Sequence, residues 1–329
     1  MKRLIWADSL KGILIVLVVF GHAIQYTVGG GCYTNHLWNE IYSFHMPAFM
    51  AVSGYFAYRG GGRFHVKNAI WRRFQQLLIP YLLWTILFIA TSDELSFSHI
   101  KDVLLYPDKG LWFLWALFFI SAIFTLCGWL AEKIKVNQEF VVLIVGLMLA
   151  ASMILSKTSL FAIQFIAYYF IFYAAAFYFH KYKDKLPPIE GKHLISMTVI
   201  WSVMAWYWHM HKTPVFLLWI PLPATIVNYV YRFLTAAIAI YVLFESAPKI
   251  LDNDKSWNIP FAQVGKLSLG IYTVHMIIIG RIVSLFKGIE LSVNSIVIMS
   301  FLTALVVSCL IVLLLSKWSV TEKLFLGKV

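Results

Sequence analysis

Apolar runs near the length of a bilayer crossing, separated by short polar connections, recur from one end of the chain to the other. They predict about ten helices, near 10–28, 41–58, 73–91, 111–131, 140–156, 160–179, 193–209, 217–245, 265–284 and 293–316. The expectation is an all-α fold: a polytopic membrane helix bundle of about ten transmembrane helices, forming a single domain over residues 1–329. An even number of crossings puts both termini on one side. Lysine and arginine then choose the side. With the termini, Lys11 and Lys266, the connections around 59–73, 132–139, 180–192 and 247–255 hold 20 of the 27 basic residues. The opposite connections hold five, and Arg232 and Arg281 fall inside spans. Both termini are therefore expected in the cytosol.

Composition agrees: 61% of residues are hydrophobic and 13% charged, which excludes an ordinary soluble domain. The net charge of +12 follows mostly from the positive-inside bias, so no nucleic-acid partner is implied. Met1-Lys2-Arg3 before an apolar run resembles a signal peptide, but Asp8 and Lys11 interrupt that run and no small-residue cleavage site stands out, so a retained first helix is expected. Cys32, Cys127 and Cys309 lie far apart and suggest neither a disulfide framework nor a metal site.

Chemistry concentrates in a few ionisable positions within the spans. Lys11 and His22 in LKGILIVLVVFGHA are three helical turns apart, hence on nearly the same face and about 16 Å apart along the axis. That puts Lys11 at the cytosolic mouth and His22 just past the middle of a hydrocarbon layer roughly 30 Å thick. A histidine there can be a plain interhelical hydrogen-bond donor, yet ionisable groups at such depth are functional by default. His45 in FHMPAFMAVSGYF enters from the outer side, and His275 in LSLGIYTVHMIII from the cytosolic side. With Arg232 and Arg281 they predict a polar cavity, although each histidine separately also fits a packing role. Pro47 and the pair Ser53-Gly54 mark a helix that breaks or packs closely. At the cytosolic mouth, RGGGRFHVKNAIWRRFQQLLIPY supplies Arg59, Arg63, Lys67, Arg72 and Arg73. Anionic lipid headgroups would attract such a cluster, and so would a phosphorylated carrier held between Lys11 and this loop.

DSLKGILIVLVVFGH, FHMPAFMAVSGYF, RRFQQLLIPYLLW, LWFLWALFF and GKLSLGIYTVH, in that order, resemble the acyltransferase-3 family of integral membrane acyltransferases, most of all its fucose 4-O-acetylase-like branch. The resemblance covers essentially the whole chain. It implies a ten-helix bundle that takes an acyl group, usually acetyl, from cytosolic acyl-CoA and delivers it to a hydroxyl of a carbohydrate or glycolipid acceptor. His22 becomes the expected catalytic residue, either a general base or an acylated relay nucleophile. Lys11, Lys67, Arg72 and Arg73 become the donor-binding residues, and His45, Ser53, His275, Arg281 and Glu40 candidates for cavity or acceptor. Acyl-CoA is a co-substrate, no bound cofactor or metal is expected, and the expected address is a bacterial inner membrane. Membrane lipids are partners, and self-association into a homo-oligomer is compatible with the pattern.

Two departures bear on the donor site. Much of the family has Arg where this chain has Lys11, trading a bidentate phosphate fork for a point charge. Gln75 and Gln76 stand where many members carry a further basic residue. No hydrolase-like domain is expected after the last helix, which leaves the acceptor to the bundle or to a separate partner. Asp8 either orients Lys11 or, more simply, caps the helix start. Tyr33, His36, Trp38 and Glu40 in the first outer connection offer the aromatic and polar groups a sugar needs, as ordinary interfacial aromatics also would. The main alternative is a secondary transporter with a His-lined midplane cavity, with Pro47, Pro80 and the Pro221-Pro223 pair as helix breaks. Against it stand the lack of a repeat between the halves and the placement of Lys11 beneath His22. A membrane scaffold or sensor is a third possibility, one that leaves the buried histidines without a role.

Overall fold

The computed structural model describes residues 4–58, 65–90, 101–103, 105–107, 110–155, 159–187, 189–252, 257–286 and 289–328. Arg59, Arg63 and the triple glycine between them lie outside the described residues. The helices are α1 (Ile5–Val28), α2 (His36–Tyr55), α3 (Val66–Ala90), α4 (Trp112–Ile134), α5 (Gln138–Leu155) and α6 (Ile163–Tyr182). After them come α7 (Gly191–Trp206), α8 (Ala224–Leu251), α9 (Asn258–Lys266), α10 (Ser268–Leu285), α11 (Val293–Leu315) and α12 (Ser319–Leu326). No strand occurs among the described residues, and the protein is an all-α membrane helix bundle. Among the described residues, seven helices (α1, α3, α4, α6, α8, α10 and α11) are long and apolar enough to cross a bilayer. Helices α2, α5 and α7 cover the other three expected spans.

The chain forms two compact units: Met1–Phe49 with Asp184–Ile311, and Met50–Lys183 with Val312–Val329. In the first, α1 packs chiefly on α9, and also on α10 and α8. The approach is backbone to backbone. A Cβ on Gly12 would overlap the carbonyl oxygen of Phe261, and one on Gly265 would overlap that of Asp8. Lipid tails are as apolar as Leu, so helices in a bilayer gain little from hiding side chains; close contact supplies the attraction, and small residues permit it. The chain turns at Leu267 directly after this contact, so the expected span 265–284 resolves into α9 and a separate α10. Helix α8 begins at Ala224, where the expectation was 217. Pro214, Pro221 and Pro223 explain the difference: each lacks an N–H and disfavours helical backbone in the residue before it. The intervening segment carries exposed apolar side chains, among them Val215 and Trp219 at 83% and 79% exposure.

In the second unit, Gly54 near the end of α2 lies so close to Tyr173 of α6 that a Cβ would overlap the Tyr173 backbone. Pro47, on the part of α2 that belongs to the first unit, is accommodated inside that helix. Pro80 has a stronger local effect. It cannot donate to the carbonyl of Gln76, and the five residues Phe74–Leu78 just upstream adopt a π turn. Gly327, at φ 62°, packs directly against that same Gln76 carbonyl, and Trp84 Nε1 donates to the Phe325 carbonyl at 3.0 Å. Helix α12 is thereby fastened to α3.

Candidate active site

Helix α1 carries the first part of the site. Leu4, not Asp8, occupies the N-cap position, so Asp8 lies within the first turn and its carboxylate turns to Lys11, with Oδ1 2.7 Å from Nζ. The expectation of a cap at Asp8 is thus corrected: the helix starts one turn earlier, and the carboxylate, 5% exposed, pairs with an ammonium that is 29% exposed. A carboxylate removed from water to this extent needs a charge partner, and a lysine one turn on provides it. Lys11 is thereby held at a defined position below His22.

The second part is a cluster of imidazoles. His22, His45 and His275 each place Nδ1 against the carbonyl one turn earlier in their own helix, at 3.0 Å from Val18, 2.6 Å from Ile41 and 2.9 Å from Ile271 respectively. A carbonyl only accepts, so Nδ1 of each ring bears the hydrogen and Nε2 of a neutral ring bears the lone pair. His275 Nε2 then lies 3.3 Å from His22 Nδ1. Both neighbours of His22 Nδ1 are acceptors, and its single hydrogen is shared between them. The lone pair of His22 is consequently on Nε2, on the side of the ring away from His275. The two rings meet edge to face with centroids 5.0 Å apart. His45 and His275 are fully buried, while His22 keeps part of its surface open.

Tyr42 links these histidines. Its ring lies 4.6 Å from that of His45 and 6.1 Å from that of His22, and its hydroxyl donates to Gln25 Oε1 at 2.8 Å. Trp38 stacks on Tyr42 at 3.8 Å, Tyr33 meets Trp38 at 5.5 Å, and His211 meets Tyr33 at 4.9 Å. A continuous line of ring contacts therefore runs from the segment after α7 to His22. His36 stacks on Trp206 at 4.4 Å beside it. His209 accepts the backbone N–H groups of His211 and Lys212 on Nδ1. Burial, with Lys212 and His211 nearby, pushes its pKa below the usual imidazole value. Sequence reasoning singled out Tyr33, His36 and Trp38 but missed Tyr42, Gln25, His209 and His211. The spacing of Tyr42 to His45 and of His22 to Gln25, three residues in each case, was the available signal.

Glu40 is half-buried, and its carbonyl accepts from Ser43. Arg281 is exposed in the last turns of α10. Ser53 belongs to the second unit and is half-buried. So do Lys67, Arg72 and Arg73 in the first turns of α3, with Lys67 and Arg72 exposed and Arg73 Nη1 3.5 Å from Gln76 Oε1. No carboxylate pairs with these three cations among the described residues. Nor, among the described residues, is any group of three His, Cys, Asp or Glu side chains placed to hold a metal ion.

Against known proteins, the acyltransferase-domain family model matches residues 4–317. The nodulation protein NolL of Sinorhizobium fredii is 36% identical over 172 residues, covering 48% of this chain and 46% of that protein. NolL of Mesorhizobium japonicum is 37% identical over 122 residues, covering 34% and 32%. The matched stretch thus spans less than half the length of these curated relatives. No solved structure matches.

Proposed function

From the premise that the chain belongs to this acyltransferase family, we infer that it is an O-acyltransferase of a bacterial inner membrane, moving acetyl from cytosolic acetyl-CoA to a hydroxyl of a carbohydrate acceptor. The observation that carries this reading is the His22–His275 pair, which leaves His22 with a bare Nε2 while its proton-bearing Nδ1 is held by two acceptors.

A hydroxyl becomes a competent nucleophile toward a thioester only as its proton leaves. His22 Nε2 takes that proton as the oxygen attacks the thioester carbon, and the C–S bond then breaks as the thiolate of CoA departs and is protonated. As His22 gains charge, its Nδ1–H bonds to Val18 and His275 become charge-assisted and strengthen, so they stabilise the transition state more than the ground state. Lys11, oriented by Asp8, provides a point charge for a phosphate of the donor at the cytosolic end of the same helix. The aromatic line from Tyr33 to Tyr42 supplies flat apolar faces with polar edges, which suit a sugar ring.

The test uses inside-out vesicles containing the protein or His22→Ala, supplied with radiolabelled acetyl-CoA and a panel of sugar glycosides. Acceptor labelling and CoA release that disappear with His22→Ala support the reading. Label retained on intact protein would replace the general base with a covalent His22 relay. Equal behaviour of the two proteins across the panel would sink the enzyme assignment.

A further inference from the structure

The end of α7, the segment after it and the start of α8 line a half-open cavity of about 490 Å³ that the proposed chemistry does not use. Met204 and Tyr207 wall it on one side, Phe216 and Leu222 on another, and Ile226 and Leu234 of α8 on the third. Its volume is that of a small-molecule site, yet its lining is almost wholly apolar. The wall built from residues 215–222 is itself exposed and hydrophobic, as Val215 and Trp219 show, a surface suited to contact with hydrocarbon.

What adjoins the cavity is polar. On the neighbouring face of α8, Asn228 Nδ2 and Arg232 Nη1 both donate to the Met210 carbonyl, at 3.3 and 3.1 Å. The Arg232 guanidinium lies 5.3 Å from the centre of the Trp208 ring. Asn228 Oδ1 and Trp208 Nε1, an acceptor and a donor, are buried there without a partner. The same segment continues to His209 and His211, and His211 meets Tyr33 at the head of the aromatic line that ends at His22. An apolar slot, a cluster of polar groups and the reactive imidazole therefore follow one another in order.

We propose that this cavity holds the hydrocarbon tail of an amphiphilic acceptor, which enters sideways from the bilayer with its hydroxyl-bearing head toward Trp208, Asn228 and the Tyr33–Tyr42 line. The proposal rests on the acyltransferase reading and, between the carbohydrate and glycolipid acceptors expected from the resemblance, selects those carrying a lipid tail. A tail seated in the slot confines the head to the neighbourhood of His22, and so lowers the entropy cost of bringing a hydroxyl to it.

The experiment uses the full chain in phosphatidylcholine nanodiscs with matched methyl and dodecyl glycosides of several hexoses and deoxyhexoses. For any sugar that is acetylated, the dodecyl glycoside should show a KM about tenfold or more below that of the methyl glycoside, a tenfold difference being about 1.4 kcal/mol. Filling the slot with Ile226→Trp, or separately with Leu234→Trp, should collapse that ratio toward one. Independently of transfer, a dodecyl glycoside bearing a diazirine at the end of its tail should label residues 203–234, and unlabelled dodecyl glycoside should compete. Equal KM values for the two glycosides, or labelling confined to other segments, would overturn the proposal. So would a diazirine-bearing phosphatidylcholine that labels the same segment and resists competition, since the slot would then hold a bilayer lipid. Labelling is scored apart from transfer: specific labelling of the slot with no acetylation of any sugar would count against the acyltransferase reading, not against occupancy by an amphiphile.

Discussion

Replacing His275 by Phe removes one of the two acceptors that hold the proton of His22 while keeping a ring of similar volume in a fully buried position. The Val18 carbonyl remains 3.0 Å from Nδ1, so the tautomer is retained and the lone pair stays on Nε2. What disappears is a bond that becomes charge-assisted as His22 takes up a proton. A hydrogen bond to a charged group contributes about 1.5–3 kcal/mol, which at roughly 1.4 kcal/mol per tenfold corresponds to a fall in kcat of about 10- to 100-fold. His22→Ala, which deletes the base, should lose more, about 10²- to 10⁴-fold. Initial rates of acetyl transfer in nanodiscs, with kcat and the KM for acetyl-CoA resolved separately, provide the assay. The loss should fall on kcat, because His275 has no part in holding the donor. His275→Asn, whose amide oxygen can accept from His22 Nδ1, should recover part of it. Full activity in His275→Phe would refute the proton-holding role, and so would a loss as deep as that of His22→Ala in a protein with an unchanged unfolding temperature.

Three further outcomes are expected. Gly265→Ala puts a methyl group into the Asp8 carbonyl, and overpacking of this kind costs about 1–3 kcal/mol; thermal unfolding followed by intrinsic fluorescence should show a lower midpoint, and an unchanged midpoint would deny the close α1–α9 contact. Lys11→Met removes the Lys11 ion pair from the near-buried Asp8 carboxylate at a cost of about 1–3 kcal/mol. Adding Asp8→Asn to that variant should restore much of the stability but not the acetyl transfer; the pair would be structurally idle if the single variant unfolds at the intact protein's midpoint. Gly327→Ala forces a side chain onto a backbone at φ 62° and against the Gln76 carbonyl. Limited proteolysis should then release α12 faster, whereas equal cleavage rates would show that this contact does not fasten it.

Much of this protein is determined locally, and what is local is readable. A run of apolar residues must satisfy its backbone within itself once it enters a bilayer, so hydropathy alone locates the helices and their class. Lys11 and His22 share one helix, and helical geometry puts them on one face before any neighbour is known. Even the shortening of α8 follows from prolines visible in the chain. The ordered motifs carried the family, because they record chemistry that side-chain identity and spacing preserve.

Only the tertiary structure could decide which groups meet. His22 and His275 are 253 residues apart in sequence, and nothing in either helix names the other as its partner. Their meeting depends on how α1 seats against α9 and α10, which turns on two glycines whose missing side chains let backbones touch. Asp8 looked like a cap because the expected span began at 10, just past it, and its carboxylate instead went to Lys11 once the helix began at Ile5. The line from His211 through Tyr33, Trp38 and Tyr42 likewise joins two separate connections. The physical reason is the same in each case. Within a helix, covalent geometry sets the distances, whereas between helices they are set by packing, and packing depends on every residue at the contact.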